Sequence, residues 1–329
     1  MKILALSLSF CKYALSGKPG EMLKEAGISF DINSTGKKYS EEDIIKVVEG
    51  YDGIVTGADP ITRNVIQKGV NLKIIAKNGV GYDNIDIPEA TARGIYVTYT
   101  PGAVEQTVAD TTIGLMLDLA RNITKGTQSI RNENWERLMG TDVWEKKLGI
   151  IGLGKIGKNV AYRAKGFNME VYAYDPFIDK DYCQKNNIIE SDLDQIFRNC
   201  DFITIHSMLT DESRHLVNKE RLGMMKNTAF LINTSRGGAI NEADLIDALK
   251  EKKIAGAALD VFETEPLPKE SPFFDLDNVI LNAHIAGLSH SANFRAGMMV
   301  TESVVAALKG EVPPYVLNKE AKEARDANG

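Results

Sequence analysis

The chain has 329 residues, of which 43% are hydrophobic and 26% charged, and its formal net charge is -6. That length exceeds one ordinary core, so two domains are expected, and the acidic balance offers no basic field to a nucleic acid. Three cysteines, Cys11, Cys183 and Cys200, are too few and too scattered for a disulfide framework or a metal site, and no apolar run is long enough to span a bilayer.

The opening stretch, MKILALSLSFCKYALSG, superficially resembles a secretory leader. Lys12 interrupts its short apolar core, however, and a first buried strand accounts for it equally well, so a cytoplasmic protein is expected. Up to about residue 99, β-rich runs at 3–8, 28–32, 53–56, 73–76 and 95–98 alternate with amphipathic pieces at 41–48 and 62–68. This pattern is already a small α/β layer. Pro101-Gly102 then reads as a hinge, and residues 103–121, AVEQTVADTTIGLMLDLAR, as a connecting helix apolar around much of its surface.

Residues 147–176, KLGIIGLGKIGKNVAYRAKGFNMEVYAYDP, read as strand, glycine turn, helix and second strand. Apolar residues recur with helical spacing at Ile156, Val160, Ala164 and Phe167, and Gly166 is the expected helix stop. In such a turn the first glycine, Gly152, makes the bend. The second, Gly154, lets the backbone approach a pyrophosphate, and the third, Gly157, lets helix pack on strand. A diphosphate is favoured at the helix N-terminus, where N–H groups lack partners. Asp175, 18 positions beyond Gly157, is placed to accept hydrogen bonds from the ribose hydroxyls of NAD and to repel the 2′-phosphate of NADP.

Further strands are expected at 202–205, 229–233, 255–260 and 279–282. Three polar groups lie just beyond such strands: Arg236 after AFLINTS, Glu265 after AGAALD, and His284 after VILN. Open parallel sheets bind ligands at those carboxyl ends, so one cleft can collect all three. Arginine forks a carboxylate and its neighbouring carbonyl oxygen, histidine exchanges a proton with that oxygen, and a glutamate fixes the ring and favours its charged form. Of the other histidines, His206 ends a strand and either lines the cofactor or closes a turn, while His215 and His290 read as surface residues. A final helix is expected at 289–309, long enough to pack back onto the first domain. The polar end, NKEAKEARDANG, is expected to fray.

At these residues the chain resembles the D-isomer-specific 2-hydroxyacid dehydrogenase family. The matching pieces are GVGYDNID at 79–86, the glycine turn with Asp175, CDFITIH at 200–206, NTSRGG at 233–238, LDVF at 259–262 with Glu265-Pro266, and HIAG at 284–287. The resemblance implies a Rossmann-type dinucleotide-binding domain at 102–286, inserted into a flavodoxin-like substrate domain formed by 1–101 and 287–329. It implies NAD-dependent interconversion of a 2-oxo acid and its D-2-hydroxy acid between the domains, with closure about the hinge excluding water. Arg236 would anchor substrate, Glu265 would partner the histidine, and His284 would be the acid/base. Lys155, Ile156, His206, Ser207, Thr234, Ser235 and Gly287 would line the cofactor, and Asp260 would meet its nicotinamide amide. The loop Asn78, Gly79, Val80 and Gly81 would offer N–H groups to the substrate carboxylate.

Within the family the chain is most similar to the 3-phosphoglycerate dehydrogenases, through NWER at 134–137 and LMGT at 138–141. A 3-phosphoglycerate or hydroxypyruvate type of substrate is therefore expected. Gly57 and Lys77 stand where relatives often carry arginines, which leaves Lys77 and Arg137 as candidates for a phosphate. With so few residues after 310, the regulatory domain of many such relatives is not expected in this sequence. The resemblance also implies a homodimer. Two rival readings share the scaffold: a formate or phosphite oxidase, and an NAD-sensing binding module.

Overall fold

The computed structural model describes residues 1–328, and the chain divides into two compact units, Met1–Val104 with Leu288–Gly329, and Glu105–Gly287. In the first unit, β1 (Lys2–Ala5), β2 (Ser29–Ile32), β3 (Gly53–Thr56), β4 (Ile74–Lys77) and β5 (Tyr96–Thr98) form one parallel sheet in the order β2-β1-β3-β4-β5. That order is flavodoxin-like. The central strands β3 and β4 are buried at every residue, as parallel strands covered on both faces must be, whereas the edge strand β2 is exposed except at the half-buried Phe30. Helices α1 (Lys18–Glu25), α2 (Glu41–Ile45), α3 (Arg63–Lys68) and α4 (Ile87–Ala92) connect them. Side chains stop the orphan N–H groups of three of these helices: Ser40 and Asp43 form a reciprocal box at α2, Thr62 caps α3 and Asp86 caps α4.

The second unit begins with α5 (Glu105–Arg121) and α6 (Ile123–Arg131). The helix expected to connect the domains is α5, and it packs within this unit along the glycine-turn helix. Its burial on two sides, by Val108, Thr112 and Leu119 as well as Leu115 and Met116, matches its all-round apolar pattern. Next come β6 (Lys147–Ile151), α7 (Lys155–Ala164), β7 (Glu170–Tyr174), α8 (Lys180–Asn186), β8 (Ile188–Glu190), α9 (Leu193–Asn199) and β9 (Phe202–Ile205). The series closes with α10 (Lys219–Met224), β10 (Phe230–Asn233), α11 (Glu242–Lys250), β11 (Gly256–Leu259) and β12 (Val279–Leu281). All seven strands pair in parallel in the order β12-β11-β10-β9-β6-β7-β8. This is a Rossmann-type sheet, whose order reverses between β6 and β9.

Three details depart from the sequence expectation. The helix after the glycine turn does not stop at Gly166: a 3-10 turn carries the chain through Phe167, and Asn168 takes the left-handed cap at φ 52. Asn tolerates that conformation through its short polar side chain. Strand β8 was not foreseen, because only Ile188 of its three residues is buried.

The third departure concerns the polar end, which is helical over Ala321–Asn328. The chain returns to the first unit through α12 (His290–Leu308), whose Val300 and Val304 join Ile3, Val55 and Ile74 in the core, and ends in α13 (Ala321–Asn328). Leu317 N–H bonds Val97 O, and Asn318 accepts from Val97 N–H and donates to Ile95 O, so the edge strand β5 is covered. Arg325 donates to Gly94 O and Lys73 O and lies 4.6 Å over the Tyr96 ring. A polar composition hides this docking, because one guanidinium and one amide do the work of a hydrophobic face. Among the described residues no helix is long and apolar enough to cross a membrane.

Candidate active site

The reversal between β6 and β9 gathers the predicted cofactor residues at the carboxyl ends of the second unit's strands. After β6, Gly152 bends at φ 95, and an added Cβ would stand 2.6 Å from the His206–Ser207 peptide that follows β9. At Gly157 a Cβ would strike Gly152 O at 2.2 Å, so helix and strand touch through bare backbone. Gly154, the N-cap of α7, differs: a Cβ there would meet nothing within 4 Å. That open space lies before the first-turn N–H groups of Lys155, Ile156 and Gly157, which no helix can pair internally. It suits a diphosphate.

Asp175 ends β7 and turns towards this bend, accepting from Leu153 N–H at 2.8 Å and Phe177 N–H at 2.9 Å. Each carboxylate oxygen keeps a lone pair for a ribose hydroxyl. Beside the bend, Ser207 Oγ and His206 Nδ1 are buried and find no hydrogen-bond partner among the described residues. Buried polar atoms are nearly always paired, so two orphans against a glycine turn mark a place for a polar ligand. His206 Nε2 is held by Thr204 Oγ1 at 3.0 Å, and burial pushes its imidazole down to about 3. These features fit a dinucleotide.

Arg236 follows β10. Asn233, fully buried, accepts from Ser235 N–H and Ser235 Oγ and donates through Nδ2 to Arg236 O, so the strand end is wound into a fixed turn. Thr234 Oγ1 lies 3.0 Å from Thr112 Oγ1 of α5. Behind Arg236 the chain has no room for a side chain: a Cβ at Gly237 would lie 1.9 Å from Phe262 C. Asn233 lies in the NTSRGG motif but is not among the site residues expected from the sequence. The signal available was a polar residue closing an apolar strand.

Glu265 and His284 meet directly, Nδ1 to Oε2 at 2.8 Å. Burial would raise the Glu265 carboxyl, but the His284 hydrogen bond and charge, the Phe262 N–H and the Arg236 charge outweigh it and hold it below its ordinary value. The other two predicted catalytic side chains, His284 and Arg236, therefore both act on the Glu265 carboxylate. His284 itself sits at φ 54, a left-handed conformation that costs a non-glycine residue about 1–3 kcal/mol. Asp260 imposes it. The Asp260 carbonyl accepts from His284 N–H at 2.8 Å, and its two carboxylate oxygens accept from Ile285 and Ala286 N–H at 2.9 Å each. Burial pushes the Asp260 carboxyl up. The carboxylate expected to meet the nicotinamide amide is thus engaged first with the backbone that carries the histidine. Gly287 closes the second unit.

In the first unit, Lys77 and the 78–81 loop follow β4. Lys77 is buried, and its ammonium donates to Gly57 O and to Asn84 Oδ1. Asn78 donates to Ser7 Oγ and Ser9 Oγ at 3.0 Å each, leaving its buried Oδ1 without a partner among the described residues. The N–H groups of Gly79, Val80 and Gly81 donate to no acceptor among the described residues.

Comparison with known proteins decides the family. The model of the D-isomer specific 2-hydroxyacid dehydrogenase NAD-binding domain matches residues 113–286. A glyoxylate reductase of Korarchaeum cryptofilum is 41% identical over 293 residues, which is 87% of this chain and 88% of that protein. The chain belongs to the D-isomer-specific 2-hydroxyacid dehydrogenase family. This dehydrogenase is also similar to a D-3-phosphoglycerate dehydrogenase of Methanocaldococcus jannaschii, 41% identical over 283 residues. That match covers 85% of the chain but 54% of the relative, so the chain spans about half its length. Among solved structures, a D-lactate dehydrogenase of Aquifex aeolicus complexed with NAD and lactic acid has a TM-score of 0.84 at 25% identity, covering 97% of this chain and 99% of that one. The dehydrogenase is an NAD-dependent enzyme.

Proposed function

We propose that the enzyme interconverts a short 2-oxo acid and its D-2-hydroxy acid, with His284 as acid/base, Glu265 as its orienting partner and Arg236 as the anchor of the substrate's carboxylate and carbonyl oxygen. The observation that carries this reading is the 2.8 Å contact of His284 Nδ1 with a carboxylate that also feels Arg236. A carboxylate only accepts, so Nδ1 carries the hydrogen and Nε2 is left to face substrate. Protonated, Nε2 gives its proton to the carbonyl oxygen during reduction; neutral, it takes the hydroxyl proton during oxidation. NAD supplies or accepts the hydride. Asp260 keeps the ring in place, and Asp175, Ser207 and the α7 N-terminus hold the cofactor. In this reading the turn at 78–81 binds a carboxylate through its N–H groups.

The substrate we assign is of the glycerate type, with hydroxypyruvate or its 3-phosphate as the oxo form. The M. jannaschii relative and the NWER and LMGT segments support it. Glyoxylate is the second reading, favoured by the K. cryptofilum relative, which matches over nearly its whole length, and by a Lys77 ammonium turned inward to Gly57 O and Asn84. NADH oxidation with hydroxypyruvate, phosphohydroxypyruvate, glyoxylate and pyruvate tests both. The expected result is a kcat/KM for one of the first two at least about tenfold above glyoxylate, a margin of about 1.4 kcal/mol. Preference for glyoxylate would move the assignment to the second reading, and silence with every oxo acid would remove the reaction. We also assign a homodimer, supported by the exposed Trp135 and Met139, 86% and 92% accessible, beyond α6. Light scattering should give about twice the chain mass of 36.2 kDa at micromolar protein, and a monomer would refute it.

A further inference from the structure

Glu265 serves two partners at once, Oε1 accepting from Phe262 N–H at 3.1 Å and Oε2 holding His284. It stands on the short turn after β11, so the aim of its carboxylate depends on what fixes that turn. Three contacts brace it. The Gly237 backbone lies against the Phe262–Glu263 peptide, since a Cβ would come within 1.9 Å. His215 Nε2 holds Glu263 Oε1 at 2.8 Å, and Glu242 Oε1 accepts from Glu263 N–H at 2.7 Å.

Magnitudes separate these braces. The His215 and Glu263 side chains are 43% and 36% exposed, and such surface pairs contribute little because solvent screens them. The Gly237 contact is steric and sets a distance, not a direction. The Glu242 bond is charge-assisted and roughly twice as strong as a neutral one. It also fixes the orientation of the peptide two residues before Glu265. Two consecutive N–H groups, of Phe262 and Glu263, thus each point at a carboxylate, one from Glu265 and one from Glu242. Burial pushes the Glu242 carboxyl up; the Glu263 N–H draws it back, and the charges of Glu263 and Glu265 add to the rise. Three acids crowd one turn, and each is given its own donor: Glu263 N–H for Glu242, His215 for Glu263, Phe262 N–H and His284 for Glu265.

We infer that Glu242, at the start of α11, is a positioning residue for the dehydrogenase reaction: by holding Glu263 N–H it aims Glu265 at His284. The inference rests on the reading of Glu265 as the histidine's partner. A plainer role exists, since an acid in the first turn of α11 complements the helix dipole whatever it touches. That role would alter stability without depending on Glu265.

Steady-state kinetics and NADH binding of Glu242→Ala, Glu242→Gln, Glu265→Ala and the double Ala variant separate the two. Misaiming a catalytic group by a fraction of an ångström to an ångström costs about 10- to 100-fold in rate. Glu242→Ala should lose kcat by that factor, with KM for the oxo acid within about threefold and NADH affinity unchanged. Glu242→Gln keeps an oxygen for Glu263 N–H and should recover most of the rate. The double variant should turn over no more slowly than Glu265→Ala. Should alanine abolish NADH binding, Glu242→Asp, whose reach is one methylene shorter, is expected to give a smaller loss of kcat with binding kept. Wild-type turnover in Glu242→Ala, or a loss that multiplies with that of Glu265→Ala, would overturn the inference. Wild-type turnover in Glu265→Ala would instead overturn the active-site reading, and the inference with it.

Discussion

His206 shows how one side chain can link the cofactor site to the stability of the fold. Its imidazole is held neutral, pushed down to about 3 from an ordinary 6.5. The unfolded chain takes up that proton first as pH falls, so the contribution to stability is full above about 6.5 and declines as pH drops towards 3. The slope is at most about 1.4 kcal/mol per pH unit. Urea unfolding at pH 7.5 and pH 5 should show a smaller loss in His206→Asn than in the parent chain. Equal losses would mean that the imidazole is not neutral in the folded protein. His284 is the opposite case: it faces outward and borrows its backbone geometry from Asp260. That a buried acid fixes His284 through its main chain is invisible in the sequence, where the family resemblance gives Asp260 a place beside the nicotinamide amide instead.

At the scale of elements, the glycine turn separates two uses of the same residue type. Gly157 has Gly152 O at its back, so Gly157→Ala should overpack the β6–α7 contact at a cost of about 1–3 kcal/mol. Gly154 faces open space, so Gly154→Ala should melt within a few degrees of the parent yet bind NADH at least about tenfold more weakly. Thermal melts and fluorescence titration check both, and an unchanged NADH affinity in Gly154→Ala would place the diphosphate elsewhere. Strands β3, β4, β9 and β10 were legible because each is buried on both faces and so written as an unbroken apolar run. The meeting of His284 with Glu265, within reach of the Arg236 charge, was anticipated from polar groups placed just past apolar strands. Strand β8 and helix α13 were not, since pairing at an edge uses backbone and polar side chains that leave no period. Asn233 and Glu242 escaped for the same reason: what they hold is main chain.

Over the whole molecule, the acid limb of stability comes from carboxylates held down in the fold. Against burial, the Lys2 N–H and Lys73 hold Asp52 below its ordinary value, and Lys226 and the Lys147 N–H hold Asp201. Glu265 joins them. Their contribution is complete above about pH 4.5 and is lost as pH falls through the lowered folded values, so the protein should denature in acid below about pH 4. Bound cofactor should oppose this by mass action, raising stability by about 2.7 kcal/mol at a hundredfold excess over its dissociation constant. In the proposed reading such binding depends on the glycine turn and Asp175, whereas proton transfer depends on His284 and Glu265. The two jobs are therefore separable, which is the central claim. It is tested most directly by measuring NADH affinity and turnover side by side in His284→Ala. The expected result is an affinity within about twofold of the parent and a kcat lower by about 10²- to 10⁴-fold. Turnover at the parent's rate, or loss of NADH binding together with turnover in a folded protein, would contradict it.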